Sequence, residues 1–329
     1  MKAVLQERFG PPDVLRLEEV DRPRAGAGQV LVRVHAAALN PYDWHMMRGD
    51  PYAARLTGGM GLTRPKCRVA GIDAAGVVEA VGTGVGGLPP GTPVLGFCEG
   101  AFAEYACAAA ELLVPKPERL SFEEAAATPM AAVTALRGIR TVGRVRAGQR
   151  VLVNGAGGGV GTFAVQIAAG LDAEVTGVCS AGSIEMVRSL GATHVVDHRR
   201  EDFTDRHARY DVILDNVGNL PLGRLRRALT PTGVLVANGG GSPGRVFGAI
   251  GSTLKLVAVN AVARHSLRPI IPATPSGPAQ EDLLAVTTLI NDGQVTPVIG
   301  RTYPLTDTAE AMRHMEEGHS HGKTVITVH

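Results

Sequence analysis

The chain has 329 residues, 45% of them hydrophobic, with 33 basic and 31 acidic side chains giving a formal net charge of +2. That is enough apolar material for one large or two medium cores, and the absence of a dense basic run leaves no electrostatic footprint for nucleic acid. Small-molecule chemistry in a two-domain protein is the expectation.

The opening stretch, Met1 to Arg8, carries charges where a signal peptide needs its apolar segment, so a cytoplasmic location is expected. Short strand-like runs follow at Val30 to His35, Gly76 to Val81 and Thr92 to Gly96, divided by Pro and Gly turns such as Pro89-Pro90-Gly91. Frequent turns between short strands predict a small, irregular β-barrel, and Pro115-Lys116-Pro117 reads as its exit toward a second domain.

From residue 151 the rhythm changes. Strand-like runs at Val151 to Val153, Glu174 to Val178, His194 to Val196, Tyr210 to Asp215 and Val234 to Asn238 alternate with helical stretches from about Gly158 and about Ser183. This predicts a doubly wound parallel sheet, with the polar segment Asp197 to Arg209 as a crossover. Val246 to Ala263 is apolar but interrupted by Lys255, Asn260 and glycines, too polar to span a bilayer, and reads as buried strand and loop. Mixed helix and strand return in Leu283 to Asn291, Thr302 to Leu305, Ala309 to Glu316 and Thr324 to Val328, with His319-Ser320-His321 as a solvated helix exit.

The most informative stretch is Val151 to Gly161, where an apolar strand breaks into Gly155-Ala156-Gly157-Gly158-Gly159-Val160-Gly161 and runs directly into a helix. Glycines let the backbone approach a ligand, and the unpaired N–H groups at the helix start favour an anion. A strict G-x-G-x-x-G fails: counted from Ala156, with Gly158 and Gly161 in place, alanine takes the first glycine's position. A glycine-rich loop without a ligand is the competing reading, and the flanking strand and helix favour a pyrophosphate seat. Four cysteines, Cys67, Cys98, Cys107 and Cys179, form no C-x-x-C pair and predict neither a structural zinc site nor a disulfide framework.

With Met1-Lys2-Ala3-Val4, Asn40-Pro41-Tyr42-Asp43-Trp44, Gly71-Ile72-Asp73-Ala74-Ala75-Gly76-Val77-Val78, the glycine turn and Gly322-Lys323-Thr324-Val325 in this order, the chain resembles the medium-chain dehydrogenase/reductase superfamily. Within it, the resemblance is to the zinc-independent quinone oxidoreductase-like branch that includes zeta-crystallin-like enzymes and enoyl reductases. It implies an α/β fold: a GroES-like β-barrel catalytic domain from residues 1–117 and 273–329, and a Rossmann domain, a doubly wound parallel sheet, over 118–272. It also implies a homodimer acting on a small-molecule substrate, with no membrane or nucleic-acid partner. Zinc-using relatives carry a Cys near Asn40 and a Gly-His-Glu where this chain reads Gly71-Ile72-Asp73; both are absent. His45, Cys67 and Asp73 match no catalytic zinc pattern in type or spacing.

Without a Lewis acid, the favoured chemistry is hydride delivery from a reduced nicotinamide to an already electrophilic quinone or enone. Carbonyl reduction and non-catalytic NADPH binding are the alternatives, and zinc alcohol dehydrogenase chemistry comes last. The resemblance places Asn40 in the cleft wall, whereas the bland reading is a turn before a helix. Tyr42 or Tyr52 offers a phenol for the proton, with solvent as the alternative. Trp44 stacks beside the cleft or fills the barrel wall, and Asp43 caps a helix. Cofactor contacts are expected at Asn40, Thr134, Ala156, Gly157, Gly158, Gly159, Val160, Gly161, Ser180, Ser183, His198, Val217, Gly239, Gly240 and Lys323. For Thr134 a buried threonine bonding its own helix is the competing reading.

An NAD-preferring site places a carboxylate at the second strand end, where this chain reads Val178-Cys179-Ser180-Ala181-Gly182-Ser183. Its absence favours NADPH, with Ser180 and Ser183 as donors to the extra phosphate. Relatives carry a Lys or Arg at Gly182 and a Tyr at His198, so Arg199 and Arg200 are the candidate replacement charges.

Overall fold

The computed structural model describes residues 1–56, 60–204, 209–238, 266–270, 279–318 and 321–328. The chain opens with an antiparallel ribbon, β1 (Lys2–Gln6) and β2 (Leu15–Glu19). Its next strand, β3 (Gln29–Ala38), pairs antiparallel with β4 (Asp73–Val81), which pairs with β5 (Pro93–Phe97). Strand β6 (Tyr105–Ala109) lies against the first half of β3, and β7 (Leu113–Pro115) against β5. Bulges between Leu31 and Val32 and between Val34 and Ala36 bend β3, so one long strand serves several neighbours in a barrel-like sheet.

Between β3 and β4 lie α1 (Pro41–Arg48) and the short α2 (Tyr52–Arg55). Local sequence dictates α1: Asn40 is extended at the N-cap, Pro41 pre-sets the first turn, and Gly49 ends the helix in the left-handed region (φ 61°). After β7 come α3 (Phe122–Ala126), whose Phe122 ring stacks 4.3 Å from His35 of β3, and α4 (Pro129–Leu136), continued by a π-helical stretch, Arg137–Val142.

The central sheet is built from β8 (Arg150–Asn154), β9 (Glu174–Cys179), β10 (His194–Asp197), β11 (Tyr210–Asp215), β12 (Leu229–Ala237) and β13 (Ser266–Pro269), all parallel, in the order 10-9-8-11-12-13. Its described helices are α5 (Gly159–Ala169), α6 (Ile184–Ser189) and α7 (Leu222–Arg227). The order reverses between β8 and β11, which is where ligands bind in doubly wound sheets. Leu152, Ile213, Leu235 and Leu267 are fully or almost fully buried here, each stabilising by roughly 1.5–3 kcal/mol relative to exposure.

The chain then forms α8 (Ala279–Asn291), β14 (Ile299–Pro304), α9 (Thr308–Glu316) and β15 (Lys323–Thr327). Strand β15 is antiparallel to the end of β3 and parallel to β14, which returns the C-terminal segment to the first sheet. Two compact units result: Met1–Val133 with Ala273–Asp292 and Pro297–His329, and Thr134–Pro272 with Gly293–Thr296. Pro115-Lys116-Pro117 ends β7 but does not leave the first unit, because α3 packs on β3 and β4; the division expected at 118 falls after Val133. The segment Val246 to Ala263 lies outside the described residues.

The first turn of α5 lies directly against the glycine loop. A Cβ at Gly161 would stand 2.0 Å from the Gly155 carbonyl oxygen, while one at Gly158 would meet nothing nearer than 3.5 Å. Thermal unfolding should therefore show Gly161→Ala destabilised by about 2–3 kcal/mol and Gly158→Ala by no more than about 1 kcal/mol. Equal stability of the two variants would contradict this packing.

Candidate functional site

In the second unit, β8 ends at Asn154 and the chain turns through Gly155, whose φ of 79° is the left-handed conformation that glycine adopts without strain. Ala156 has no positive φ and is buried, with its N–H donating to the Val178 carbonyl at 2.9 Å. Alanine is tolerated in the first fingerprint position because the residue before it makes the turn. Gly157 lies under Ser183, whose Oγ stands 2.7 Å from where a Cβ would be.

Gly158 caps α5, and Thr162 N–H already donates to the Gly158 carbonyl. The N–H groups of Gly159, Val160 and Gly161 thus have no partner within the helix, and residues 158–160 are half-buried. Backbone donors at the positive end of an 11-residue helix could hold an anion such as a pyrophosphate.

Across the switch point, Asp215 ends β11 and ties both loops together. Its Oδ1 accepts from Asn154 Nδ2 (2.8 Å), Val217 N–H (3.2 Å) and Gly218 N–H (3.0 Å). Asn216 Nδ2 donates to the Asn154 carbonyl, and Asn238 Nδ2 to Asn216 Oδ1. The Val217 side chain is 41% exposed and its Cγ2 stands 2.9 Å from a Cβ position at Gly155. Sequence reasoning found Val217 but missed Asn154, Asp215 and Asn216, which are polar residues at the ends of apolar runs. Gly239 and Gly240 lie outside the described residues.

At the end of β9, Ser180 is half-buried, whereas Ser183 is 2% exposed beneath the glycine turn. The expected pair of phosphate donors is thus reduced to Ser180 at the surface. His198 is exposed, with both its N–H and its Nδ1 on the Cys179 carbonyl (3.1 and 2.9 Å). A carboxylate lies next door: Asp197 pairs in register with Cys179. It is turned into its own loop, accepting from Arg199 N–H at 3.0 Å and lying 3.7 Å from Arg200 Nε. Thr134, in α4, is 4% exposed.

In the first unit a buried polar cluster surrounds Asn40. Asp43 Oδ2 accepts from Asn40 N–H at 2.8 Å, as expected of a capping residue. The Asn40 carboxamide serves other partners: Nδ2 donates to Asp73 Oδ2 (3.0 Å) and to the Ala38 carbonyl (3.3 Å), while Oδ1 accepts from Lys323 Nζ (2.5 Å). Lys323 Nζ also donates to the Leu39 carbonyl and lies 3.8 Å from Asp73 Oδ2. Asn40, Asp43, Asp73 and Lys323 are between 0% and 5% exposed. Lys323, expected at the cofactor, is therefore a counter-ion inside the first unit, its ammonium enclosed by three oxygens.

Burial pushes the Asp43 carboxyl up to about 7, with the Asp73 charge adding to the effect, and raises Asp73 to about 6 against the pull of Lys323. Burial lowers Lys323. Tyr42 is half-buried; burial, then Asp43, Glu99 and Cys67, push its phenol up to about 12, so it keeps its proton at neutral pH. Tyr52 is 45% exposed under the Arg55 guanidinium. Trp44 Nε1 donates to Glu316 Oε1 at 2.6 Å, which also accepts from Arg48, so Trp44 fastens α1 to α9.

Among the described residues no group of three or more His, Cys, Asp or Glu side chains could hold a metal ion. Each zinc-ligand candidate has other partners: His45 Nδ1 the Asp50 carbonyl, Cys67 Sγ the Val69 carbonyl, Asp73 its ammonium and amides. No helix among the described residues is long and apolar enough to cross a membrane.

Residues 26–118 match the family described as alcohol dehydrogenase GroES-like domain, and 190–326 the family described as zinc-binding dehydrogenase. A 2-methylene-furan-3-one reductase of Solanum lycopersicum is 33% identical, over 99% of this chain and 79% of its own length. A quinone oxidoreductase of Sus scrofa is 32% identical over 98% and 96%. Among solved structures, a mycobacterial protein complexed with NADPH superposes with a TM-score of 0.84 at 25% identity, covering 100% of each chain.

Asp43 and Asp73 hold their protons to higher pH when folded than when unfolded, so the folded chain binds more protons between about pH 4 and about pH 7. Their contribution to stability accordingly falls as pH rises through that window. Asp43→Asn keeps an oxygen for the Asn40 N–H and removes the charge, so denaturant titrations across that window should show a flatter decline than in wild type. A steeper decline in the variant would reverse this assignment.

Proposed function

Because the chain belongs to the medium-chain dehydrogenase/reductase superfamily, in its quinone oxidoreductase-like branch, we propose that it is an NADPH-dependent, zinc-independent oxidoreductase reducing quinones or the activated double bond of small enones. The observation that carries this reading is the Gly155–Gly161 turn, with three helix-start N–H groups and a half-exposed rim at the switch point of the parallel sheet.

When bound, a reduced nicotinamide supplies the hydride. The chain's own task is to bind, orient and shield. The α5 N-terminus and Val217 serve the dinucleotide, and Ser180, His198 and Arg199 serve its 2′-phosphate. Hydride addition to an enone leaves an enolate that needs a hydrogen-bond donor and a proton. Tyr42, protonated and half-buried, is the proposed donor; Tyr52, far more exposed, ranks behind it. Asn40 forms the wall at the reacting end. The donor chemistry of the first unit does not fit the zinc that the family description names, since Asp73 is already held by an ammonium and two N–H donors. The same reading includes a cytoplasmic homodimer.

Nicotinamide absorbance with a quinone, an enone and a ketone as acceptors tests the reading. Turnover is expected with the first two and should survive a zinc chelator. NADPH should bind roughly 10-fold or more tightly than NADH at low ionic strength, the ratio shrinking as salt screens the phosphate. Equal affinities at low salt would overturn the NADPH preference, ketone-only turnover would move the assignment to carbonyl reduction, and loss of activity on chelation would restore zinc.

A further inference from the structure

We propose that Asp73 and Lys323 are positioning residues for this reductase: a buried ion pair that fixes the Asn40 carboxamide at the start of α1 and the first turn of α4. The inference rests on the reductase reading above but on separate geometry. Asn40 sits at the N-cap of α1 with its backbone N–H on Asp43 Oδ2. Its carboxamide lies between opposite charges, the nitrogen donating to Asp73 Oδ2 and the oxygen accepting from Lys323 Nζ. Turning the amide over would place NH2 against an ammonium and oxygen against a carboxylate, so the ion pair selects one orientation.

Asp73 Oδ2 also accepts from Met130 N–H, at 3.2 Å, in the first turn of α4, the helix that runs on to Thr134. One carboxylate oxygen therefore joins β4, α1 and α4, with β15 attached through Lys323. The other oxygen, Oδ1, is buried without a hydrogen-bond partner among the described residues. Such a cluster is a poor device for stability alone, since apolar replacements of buried ion pairs are often neutral or stabilising. What it provides is direction: four elements share one polar centre whose donors and acceptors tolerate one arrangement.

The far side of α1 is held by the same C-terminal segment, through Glu316 on Trp44 and Arg48. Trp44 is the only tryptophan and reports directly on α1. The charged and titratable groups facing Asp73 are Asp43 on α1, Lys323 on β15 and Cys98 at the end of β5. A proton added to Asp73 removes the charge that orients Asn40, so turnover should decline on the acid side as this group is protonated.

The test uses the full chain with NADPH and a simple quinone. Replacing the whole pair with apolar side chains, Asp73→Leu together with Lys323→Met, is expected to keep the thermal midpoint near that of wild type while lowering kcat by roughly 10- to 100-fold, as for a wall displaced by a fraction of an ångström. Asp73→Asn should remove the acid limb of the kcat profile. Hydrogen exchange should rise at α1 and at Met130 in both variants, accompanied by a change in Trp44 emission. Unchanged kcat, profile and exchange in both variants would overturn the proposal, as would loss of kcat that merely tracks loss of the thermal midpoint. If wild type turns over no acceptor, the reductase reading fails, while exchange and NADPH affinity in the same variants still decide the positioning role.

Discussion

One fully buried oxygen, Asp73 Oδ2, is the point to which the first unit's candidate residues are referred. It accepts from the Asn40 amide and the Met130 N–H and faces the Lys323 ammonium at 3.8 Å. Desolvating these charges is expensive, and only the density of partners around them offsets it. The position of Asp73 at the first residue of β4 is therefore a constraint on sequence: a residue without a carboxylate there would leave Lys323 buried and unpaired, Asn40 free to turn over, and the first turn of α4 short of an acceptor.

The second unit solves a related problem with neutral donors. Asp215, the last residue of β11, gathers Asn154 Nδ2 and two loop N–H groups. The loops that carry Gly155 and Val217 then hold their shape beside one another without any side chain having to reach into the anion seat. Both units thus place a buried aspartate at a strand end and spend its oxygens on loop backbone or on amides. This ties the irregular segments to the strands they leave, the kind of anchoring that orientation of a reacting group requires.

How much of this could be read from the residues follows from the range of each interaction. Strand β11 was legible to the residue because Val212-Ile213-Leu214 is buried on both faces and so continuously apolar. The strand pattern in the sequence covers only Val30 to His35 of β3, which runs Gln29–Ala38, since its bulges break the alternation and its final alanines suit helix as well as strand. The glycine turn was visible as a local pattern, including its imperfect first position. The Asn40 cluster was not. Its members are separated by 33 and 283 residues, and nothing local says that Lys323 pairs with Asp73 and not with a ligand. The same holds for Ser183, whose hydroxyl reads as a phosphate donor by position but is buried where it packs against Gly157.

The end of β9 shows why an absent carboxylate was too coarse a criterion for cofactor preference. A carboxylate is present one strand away, in register with Cys179, and an open Asp197 there would repel a 2′-phosphate as effectively as one on β9 itself. What matters is where its charge is directed. Asp197 is 7% exposed, accepts the Arg199 N–H and lies 3.7 Å from Arg200 Nε, so its carboxylate is turned into its own loop. The outward groups are then the Ser180 hydroxyl, the His198 ring held by Nδ1 on the Cys179 carbonyl, and the exposed Arg199 side chain, none of them a carboxylate. The NADPH reading consequently depends less on which residue is missing from β9 than on the turn after β10 keeping Asp197 folded inward.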